Sequence, residues 1–389
     1  MKYSLATTTW DNAEIKAILN VITSDHYTMG DEVKQFELDS AKYFGSKYCV
    51  MSNSGSSANL LSVAALMYHS KYSLQPGDEV IVPAVSWSTT YYPLHQYGLK
   101  LKFVDISLDS LNIDVEQLEA AISRETKAIY AVNLLGNPND FDKLKELCEK
   151  HNLILLEDNC ESMGAKYNNK YTGTFGITGS MSTFFSHHIC TIEGGLTLTD
   201  DEEMYHILLS LRAHGWTRNL PKNSSIYQKS DSDFYELFRF VLPGYNLRPT
   251  EISGALGIEQ LKKLPNILDM RQKNAALFQK MFHNSDKFMI QKTVGESSWF
   301  GFSLILKPEL VGHRDSIVKY LTENNVESRP IVAGNFVNNP VIKYFKYSIH
   351  GMLNNAEYLD KNGLFIGNND KDLTEELYYF NDLINNWKV

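Results

Sequence analysis

The chain has 389 residues, 43% hydrophobic and 21% charged, an ordinary globular composition that excludes disorder or a fibrous repeat as the main state. Its net charge of −9 argues against sequence-independent nucleic-acid binding, which needs a basic field, although a local set of donors still suffices for an anionic small molecule. The four cysteines, Cys49, Cys148, Cys160 and Cys190, form no C-x-x-C pair, which speaks against a zinc knuckle or a thioredoxin-type site. Residues 1–16 lack the apolar core of a signal peptide, and no apolar run approaches the roughly 20 residues of a membrane span. These features predict a cytoplasmic protein without membrane or nucleic-acid partners.

In chain order, Ile15, Ile18, Leu19 and Ile22 fall at helical spacing within 11–23, and 31–44 repeats the pattern up to Gly45, a helix stop. The rhythm then changes. A strand is predicted at 47–52, a polar turn at 53–57 and an apolar helix at 58–68. Strands at 79–83, 99–106, 128–134 and 153–157 alternate with helices at 88–97, 115–123 and 141–151. Continuous apolar strands alternating with helices predict an α/β fold with a parallel sheet covered on both faces. The large domain is expected over 1–245, with the N-terminal helical segment, and a smaller C-terminal α/β domain over 246–389. There a long helix is predicted from Glu251 to Phe282, strands at 286–291, 299–307 and 327–332, and a helix at 314–325. The polar, Ser-rich stretch 220–235 reads as a loop.

Three segments carry chemistry. Ser54-Gly55-Ser56-Ser57 lies between a strand and a helix, where small residues let backbone N–H groups approach an anion; a plain serine-capped turn has the same composition. The strand 153–157 delivers Asp158 at its C-terminal end, where α/β enzymes place ligands. That carboxylate suits a protonated ring nitrogen of a cofactor or, equally, a helix cap. Ser182 opens a run to His187 and His188, followed by Glu193-Gly194-Gly195 and a strand at 196–199. The adjacent histidines are a poor zinc pair, since neighbours rarely ligate one metal and no third ligand is evident. A polar turn or a buried, hydrogen-bonded ring is their ordinary role.

The order and spacing of these segments, with Trp87 between the first two, resembles the fold-type I enzymes that use pyridoxal 5'-phosphate (PLP). More narrowly the chain resembles the DegT/StrS-type nucleotide-sugar aminotransferases, whose further signature is similar to residues 244–251 (Gly-Tyr-Asn-Leu-Arg-Pro-Thr-Glu) and 257–261 (Gly-Ile-Glu-Gln-Leu). The resemblance spans roughly residues 5–335. It implies a large domain with a mainly parallel central sheet and a smaller C-terminal domain. It also implies Gly55, Ser56 and Ser182 at the cofactor phosphate, Trp87 stacked on the ring, Asp158 at the ring nitrogen and Glu161 at a ring substituent. In this family the residue matching Asn246 reaches the phosphate held by the neighbouring subunit, which implies a homodimer with shared active sites.

One position departs from the family. Six residues before Glu193, where the family carries the lysine that binds PLP covalently, stands His187, and no lysine occurs between Lys170 and Lys222. An imidazole forms no stable imine. The cofactor is therefore expected to be held non-covalently and to cycle with pyridoxamine 5'-phosphate, with His187 moving protons. This exchange marks a branch of PLP-dependent sugar 3-dehydratases, which residues 83–93, 212–219 and 329–332 also resemble. The implied reaction removes the C3 hydroxyl of GDP-4-keto-6-deoxy-D-mannose, with L-glutamate as amino donor. His214 and Arg329 are then expected at the glutamate, Arg218 at the diphosphate, and Tyr27, Thr28 and Met29 at the nucleotide. Register against Glu193 selects His187 over His188. Two other readings remain open in the sequence: a 4-aminotransferase with an unusual base, and an inactive PLP- or sugar-nucleotide-binding regulator.

Overall fold

A computed structural model describes residues 1–388. A capping box starts α1 (Asn12–Thr23): Asp11 accepts from the Ala13 N–H at 2.7 Å, and Glu14 accepts from the Asp11 N–H at 2.7 Å. The apolar face expected of this helix points outward, with Ile15, Leu19 and Ile22 exposed. Glu14 is buried instead, held by Lys263 and Gln260 at 2.7 Å each. The second helix, α2 (Asp31–Phe44), stops as expected at Gly45, whose φ of 72° is left-handed.

The alternating region follows as β1 (Tyr48–Ser52), α3 (Gly55–Leu66), β2 (Glu79–Pro83), α4 (Ser88–Gln96) and β3 (Lys100–Val104). Next come α5 (Val115–Ala121), β4 (Thr126–Val132), α6 (Phe141–His151) and β5 (Ile154–Asp158). A short hairpin, β6 (Lys166–Tyr167) and β7 (Lys170–Tyr171), leads to β8 (Thr178–Ser182), β9 (Gly195–Thr199) and α7 (Glu202–Arg212). β8 escaped the sequence reading because Thr-Gly-Ser-Met-Ser has no apolar run; all five residues are nevertheless buried. The polar stretch 220–235 is a loop until the one-turn helix α8 (Asp233–Glu236).

The large sheet has eight strands. Six of them, β8-β5-β4-β2-β3-β13 in spatial order, with β13 at Tyr347–Ile349, pair in parallel. β9 enters antiparallel between β8 and β1. Period-two alternation divides the apolar residues between two faces. Val80, Val82, Leu101 and Phe103 pack under α3 and α4, while Ile81, Val104 and Ile129 pack under α5 and α6. Asp158 lies in register with Val132 of β4 and Ser180 of β8, which brings three loops together at one edge.

The 32-residue helix α9 (Glu251–Phe282) links this sheet to a second one. Its Glu251 carboxylate accepts from the N–H groups of Gly30 (2.6 Å), Glu32 (2.7 Å) and Val33 (3.3 Å), capping α2 from another element. Gly254 and Gly257 let α2 approach: a Cβ on either would come within 2.5 Å of Val33 N or the Phe36 ring. The second sheet is antiparallel, in the order β10 (Phe288–Met289), β11 (Gly301–Leu306), β14 (Gly363–Gly367), β12 (Ser328–Arg329). β12 is shorter than the predicted 327–332 because Pro330 has no N–H for a ladder. α10 (Arg314–Glu323), α11 (Asn354–Asn362) and α12 (Thr374–Asn386) cover this part. No described helix is long and apolar enough to cross a membrane.

Phe278 of α9 stacks on Phe302 of β11 at 4.3 Å and on Phe282 at 5.0 Å, all three buried. Phe278→Ala is expected to lower unfolding free energy by about 3–5 kcal/mol, read as a lower midpoint in chemical denaturation at an unchanged slope.

Candidate active site

A cavity of about 350 Å³ opens where the C-terminal ends of β4, β5 and β8 meet the starts of α3 and α4. Ser54 caps α3 by accepting from the Ser57 N–H at 3.1 Å, so the turn is serine-capped, and its Gly55 and Ser56 also face the cavity. Gly55 has no room for a side chain, since a Cβ would lie 2.6 Å from that of Ser182. The Ser56 hydroxyl donates to Thr89 in the first turn of α4 at 2.9 Å. The first N–H groups of a helix have no partner within it. Two helix starts and the hydroxyls of Ser56, Thr89 and Ser182 thus form a cradle for an anion.

Asp158 is buried at the cavity wall, and no helix follows it, which removes the capping role. Its Oδ2 accepts from Asn59 Nδ2 (2.8 Å) and Thr90 Oγ1 (2.6 Å), and its Oδ1 from the Cys160 N–H (3.1 Å). Asn59 is itself fixed by the Tyr130 hydroxyl at 2.8 Å and by Ser180. A network this fully satisfied holds the carboxylate in one orientation. Glu157 points to the opposite face and accepts three backbone N–H groups, of Gly173, Phe175 and Gly176, at 2.6–2.7 Å. Glu161 accepts from the Leu135 N–H at 3.0 Å. Burial pushes its pKa up to about 7; the Leu135 N–H opposes the shift and the Asp158 charge adds to it. Burial thus favours its protonated form.

The histidines lie on an irregular loop between β8 and β9. Thr183 and Gly194 close its base through the Thr183 N–H to the Gly194 carbonyl at 2.9 Å, and the hydroxyls of Thr183 and Thr191 bond at 2.5 Å. Glu-Gly-Gly has a steric reason here: a Cβ on Gly194 would lie 2.3 Å from Thr183 Oγ1, and one on Gly195 2.1 Å from the Ser54 carbonyl. His187 lines the cavity, half-buried, with its ring edge-on to Phe300 at 5.1 Å and to Phe184 at 6.0 Å. Its enclosure by the cavity wall, and secondarily the Arg271 guanidinium, lower its pKa to about 4. The ring is neutral at neutral pH and its Nδ1 has no partner among the described residues. His188 is fully buried, away from the cavity, with Nε2 3.1 Å from the Ser298 carbonyl.

Seven of the predicted residues, His187, Gly55, Ser56, Trp87, Asp158, Glu161 and Ser182, line this cavity. Trp87 is 58% exposed, so it is no core tryptophan. The other seven lie outside it in the single chain. Six of them gather on segments joined by 246–251. Thr28 bridges to Thr250, and the Glu251 N–H donates to the Tyr27 carbonyl at 3.0 Å, with Met29 following. Asn246 bridges to Ala213, next to His214, and accepts from Arg248 at 2.9 Å. Arg218 and Arg248 stand 4.2 and 5.4 Å from the Trp216 ring centre, and His214 meets the same ring edge-on at 5.1 Å. Arg329 is exposed at the end of β12, donating to the Ser328 carbonyl at 2.9 Å. Sequence reasoning missed Asn59, Thr89 and Thr90, although Ser86-Trp87-Ser88-Thr89-Thr90 is a run of hydroxyls around a singled-out residue. Phe300 and Val332, which also line the cavity, have no local signal.

Gly195→Ala is expected to force β9 away from α3 and to cost about 1–3 kcal/mol by overpacking. A thermal melt would show it as a lower Tm, and an unchanged Tm would refute the steric account of the glycine pair.

The DegT/DnrJ/EryC1/StrS aminotransferase family profile matches residues 8–377. A GDP-4-keto-6-deoxy-D-mannose 3-dehydratase of Escherichia coli is 56% identical over 386 residues, covering 99% of this chain and 100% of the relative. A protein of the same name from Yersinia pseudotuberculosis is 57% identical over 379 residues, covering 97% and 96%. The crystal structure of GDP-4-keto-6-deoxymannose-3-dehydratase with a trapped PLP-glutamate geminal diamine superposes with a TM-score of 0.96 at 56% identity, covering 98% of this chain and 100% of that one. With a cavity at the expected strand ends and agreement over nearly its whole length, the chain belongs to the DegT/DnrJ/EryC1/StrS aminotransferase family.

Proposed function

We propose that the protein removes the C3 hydroxyl of GDP-4-keto-6-deoxy-D-mannose to give GDP-4-keto-3,6-dideoxy-D-mannose. L-Glutamate is the amino donor, and 2-oxoglutarate and ammonia are released. The reaction balances: glutamate gives up two electrons on becoming the keto acid, and C3 takes them as its hydroxyl departs as water. The observation that carries this reading is His187 on the wall of a cavity that no described lysine lines. The 3-dehydratase relatives, which match nearly the full chain, support the same reaction.

The residues present fit PLP. The cradle of Gly55, Ser56, Thr89 and Ser182 suits its phosphate, Asp158 its ring nitrogen, Trp87 its ring face and the protonated carboxyl of Glu161 its ring oxygen. With no lysine at the wall, binding is non-covalent. When bound, PLP, cycling with pyridoxamine 5'-phosphate through glutamate, supplies the amine for the sugar C4 ketone and a sink for electrons. His187 is a neutral base at working pH; its Nδ1 is buried without a partner among the described residues, which leaves Nε2 to accept a proton from the reacting centre. The imidazolium it becomes is the acid available to the departing hydroxyl. Phe184 and Phe300 meet the ring edge-on and limit its orientation.

The active unit on this reading is a homodimer with shared sites. Asp158, Glu161 and Glu193 line the cavity but no described Lys or Arg does, whereas glutamate and a diphosphate both need cations. Arg218, Arg248, His214 and Asn246 stand together elsewhere, next to exposed Phe234, Phe238 and Phe240. That apolar surface and the outward face of α1 suit a second copy, whose Arg cluster would complete the cavity. Tyr27, Thr28 and Met29 belong to the same surface and are assigned to the nucleotide, and Arg329 to the glutamate carboxylate. The four cysteines are all free, as suits a cytoplasmic enzyme.

Incubation with PLP, L-glutamate and GDP-4-keto-6-deoxymannose should yield a sugar nucleotide lighter by one oxygen, with its ketone kept and ammonia released. A product carrying nitrogen at C4 would make the protein an aminotransferase. His187→Asn should lower turnover by about 10²–10⁴-fold while PLP absorbance is retained; full turnover would exclude His187 as the base. Co-expression of His187→Asn with Arg218→Ala should restore activity that neither variant has alone, because one site of each mixed dimer is intact. No restoration would refute the shared site.

A further inference from the structure

Arg271 of α9 is 4% exposed and lies behind the histidine pair. Its Nη1 donates to two neutral carbonyls, Trp299 and Phe300, each at 3.1 Å, and its Nε has no partner among the described residues. A buried cation spent on neutral carbonyls is costly for a fold, and these bonds fix one short segment, Ser298–Phe300. Asn368 adds a donor to the Trp299 carbonyl at 2.9 Å. Trp299 adopts φ 49°, a left-handed conformation that a non-glycine residue keeps only under such constraint.

The segment contacts His187 directly and reaches Glu161 through one turn. On one side the Ser298 and Phe300 N–H groups donate to the carbonyls of Gly136 (2.9 Å) and Leu135 (3.1 Å), in the turn whose Leu135 N–H holds Glu161. On the other, the Ser298 carbonyl meets His188, and the Phe300 ring lies against His187. The charges facing His187 come from several elements: Glu193 on its own loop, Asp158 and Glu161 after β5, and Arg271 on α9. Burial is the larger cause of the low His187 pKa and the Arg271 charge adds to it; the neutral His188 lies on the same side, and Asp370 is the carboxylate that acts on Arg271.

We propose that Arg271 is a positioning residue for His187, setting the imidazole through the Ser298–Phe300 segment and keeping it neutral with its charge. Its catalytic consequence rests on the reading of His187 as the base; its effect on the ring does not.

The test is a ¹⁵N-histidine NMR titration of the full-length protein, with the His187 signal identified by its loss in His187→Asn. In the parent protein the ring should titrate well below the free imidazole value of about 6.5. Arg271→Gln, which keeps a donor but loses the charge, should raise the midpoint by about one pH unit or more. Arg271→Lys should leave it low. An unchanged midpoint in folded Arg271→Gln would overturn the proposal. If Arg271→Gln does not fold, Arg271→Lys decides the matter: a midpoint that stays low supports the proposal, and one that rises to the free imidazole value despite the retained charge would overturn it. Should His187→Asn retain turnover, the base assignment falls while the titration result stands.

Discussion

An imidazole cannot tether itself to an aldehyde, so the loop that carries His187 has to be held entirely by non-covalent contacts. The structure meets that constraint from three sides. The paired threonines Thr183 and Thr191 and the two glycines close the base of the loop on β8, β9 and α3. Gln260 of α9 accepts from the Cys190 N–H at 2.9 Å, and Trp10 donates to the Cys190 carbonyl at 3.1 Å. His188 is buried against the Ser298 carbonyl. An irregular segment with so many fixed points loses little further entropy when it acts, which is what preorganisation of a proton-transfer group requires.

The sheet provides the other half of that geometry. Parallel strands deliver Val132, Asp158 and Ser182 to one edge, and the helices that follow β1 and β2 start at the same edge. Helix starts attract anions while a strand-end carboxylate repels them, so a ligand with a phosphate at one end and a cationic ring at the other has a single orientation. The reversal of β9 is needed as well. It brings Gly195 against the Ser54 carbonyl and so locks the histidine loop to the anion cradle.

Charge divides the molecule in a way that the fold alone does not require. The cavity wall carries carboxyl groups and hydroxyls, whereas Arg218, expected at the diphosphate, stacks with Arg248 around Trp216 on a surface rich in exposed phenylalanine. On the proposed reading neither half is a complete site. Arg271 differs from these arginines, because it is sealed behind the histidines and reaches no ligand.

Local pattern made much of this legible. The alternating apolar strands from 79 to 157, the stop at Gly45 and the long helix from Glu251 could be read from period and backbone freedom. The cavity-wall residues from Gly55 to His187 are assigned by the family resemblance, since their local pattern also fits a capped turn or a polar loop. β8 could not be read in this way, since its five residues are polar or small and are buried only because β5 and β9 flank them. Nor could the outward turn of the α1 face, which depends on Lys263 and Gln260 drawing Glu14 inward. The chemistry on offer was visible in the residues themselves: a histidine where the aminotransferases it resembles carry lysine, a strand-end aspartate and a glycine-serine turn. The six-residue spacing to Glu193 already selects His187; the fold decided that burial raises the Glu161 pKa and that Arg271 stands behind the ring. Those outcomes depend on burial and on contacts between residues as far apart as His187, Arg271 and Phe300, and no local spacing encodes them.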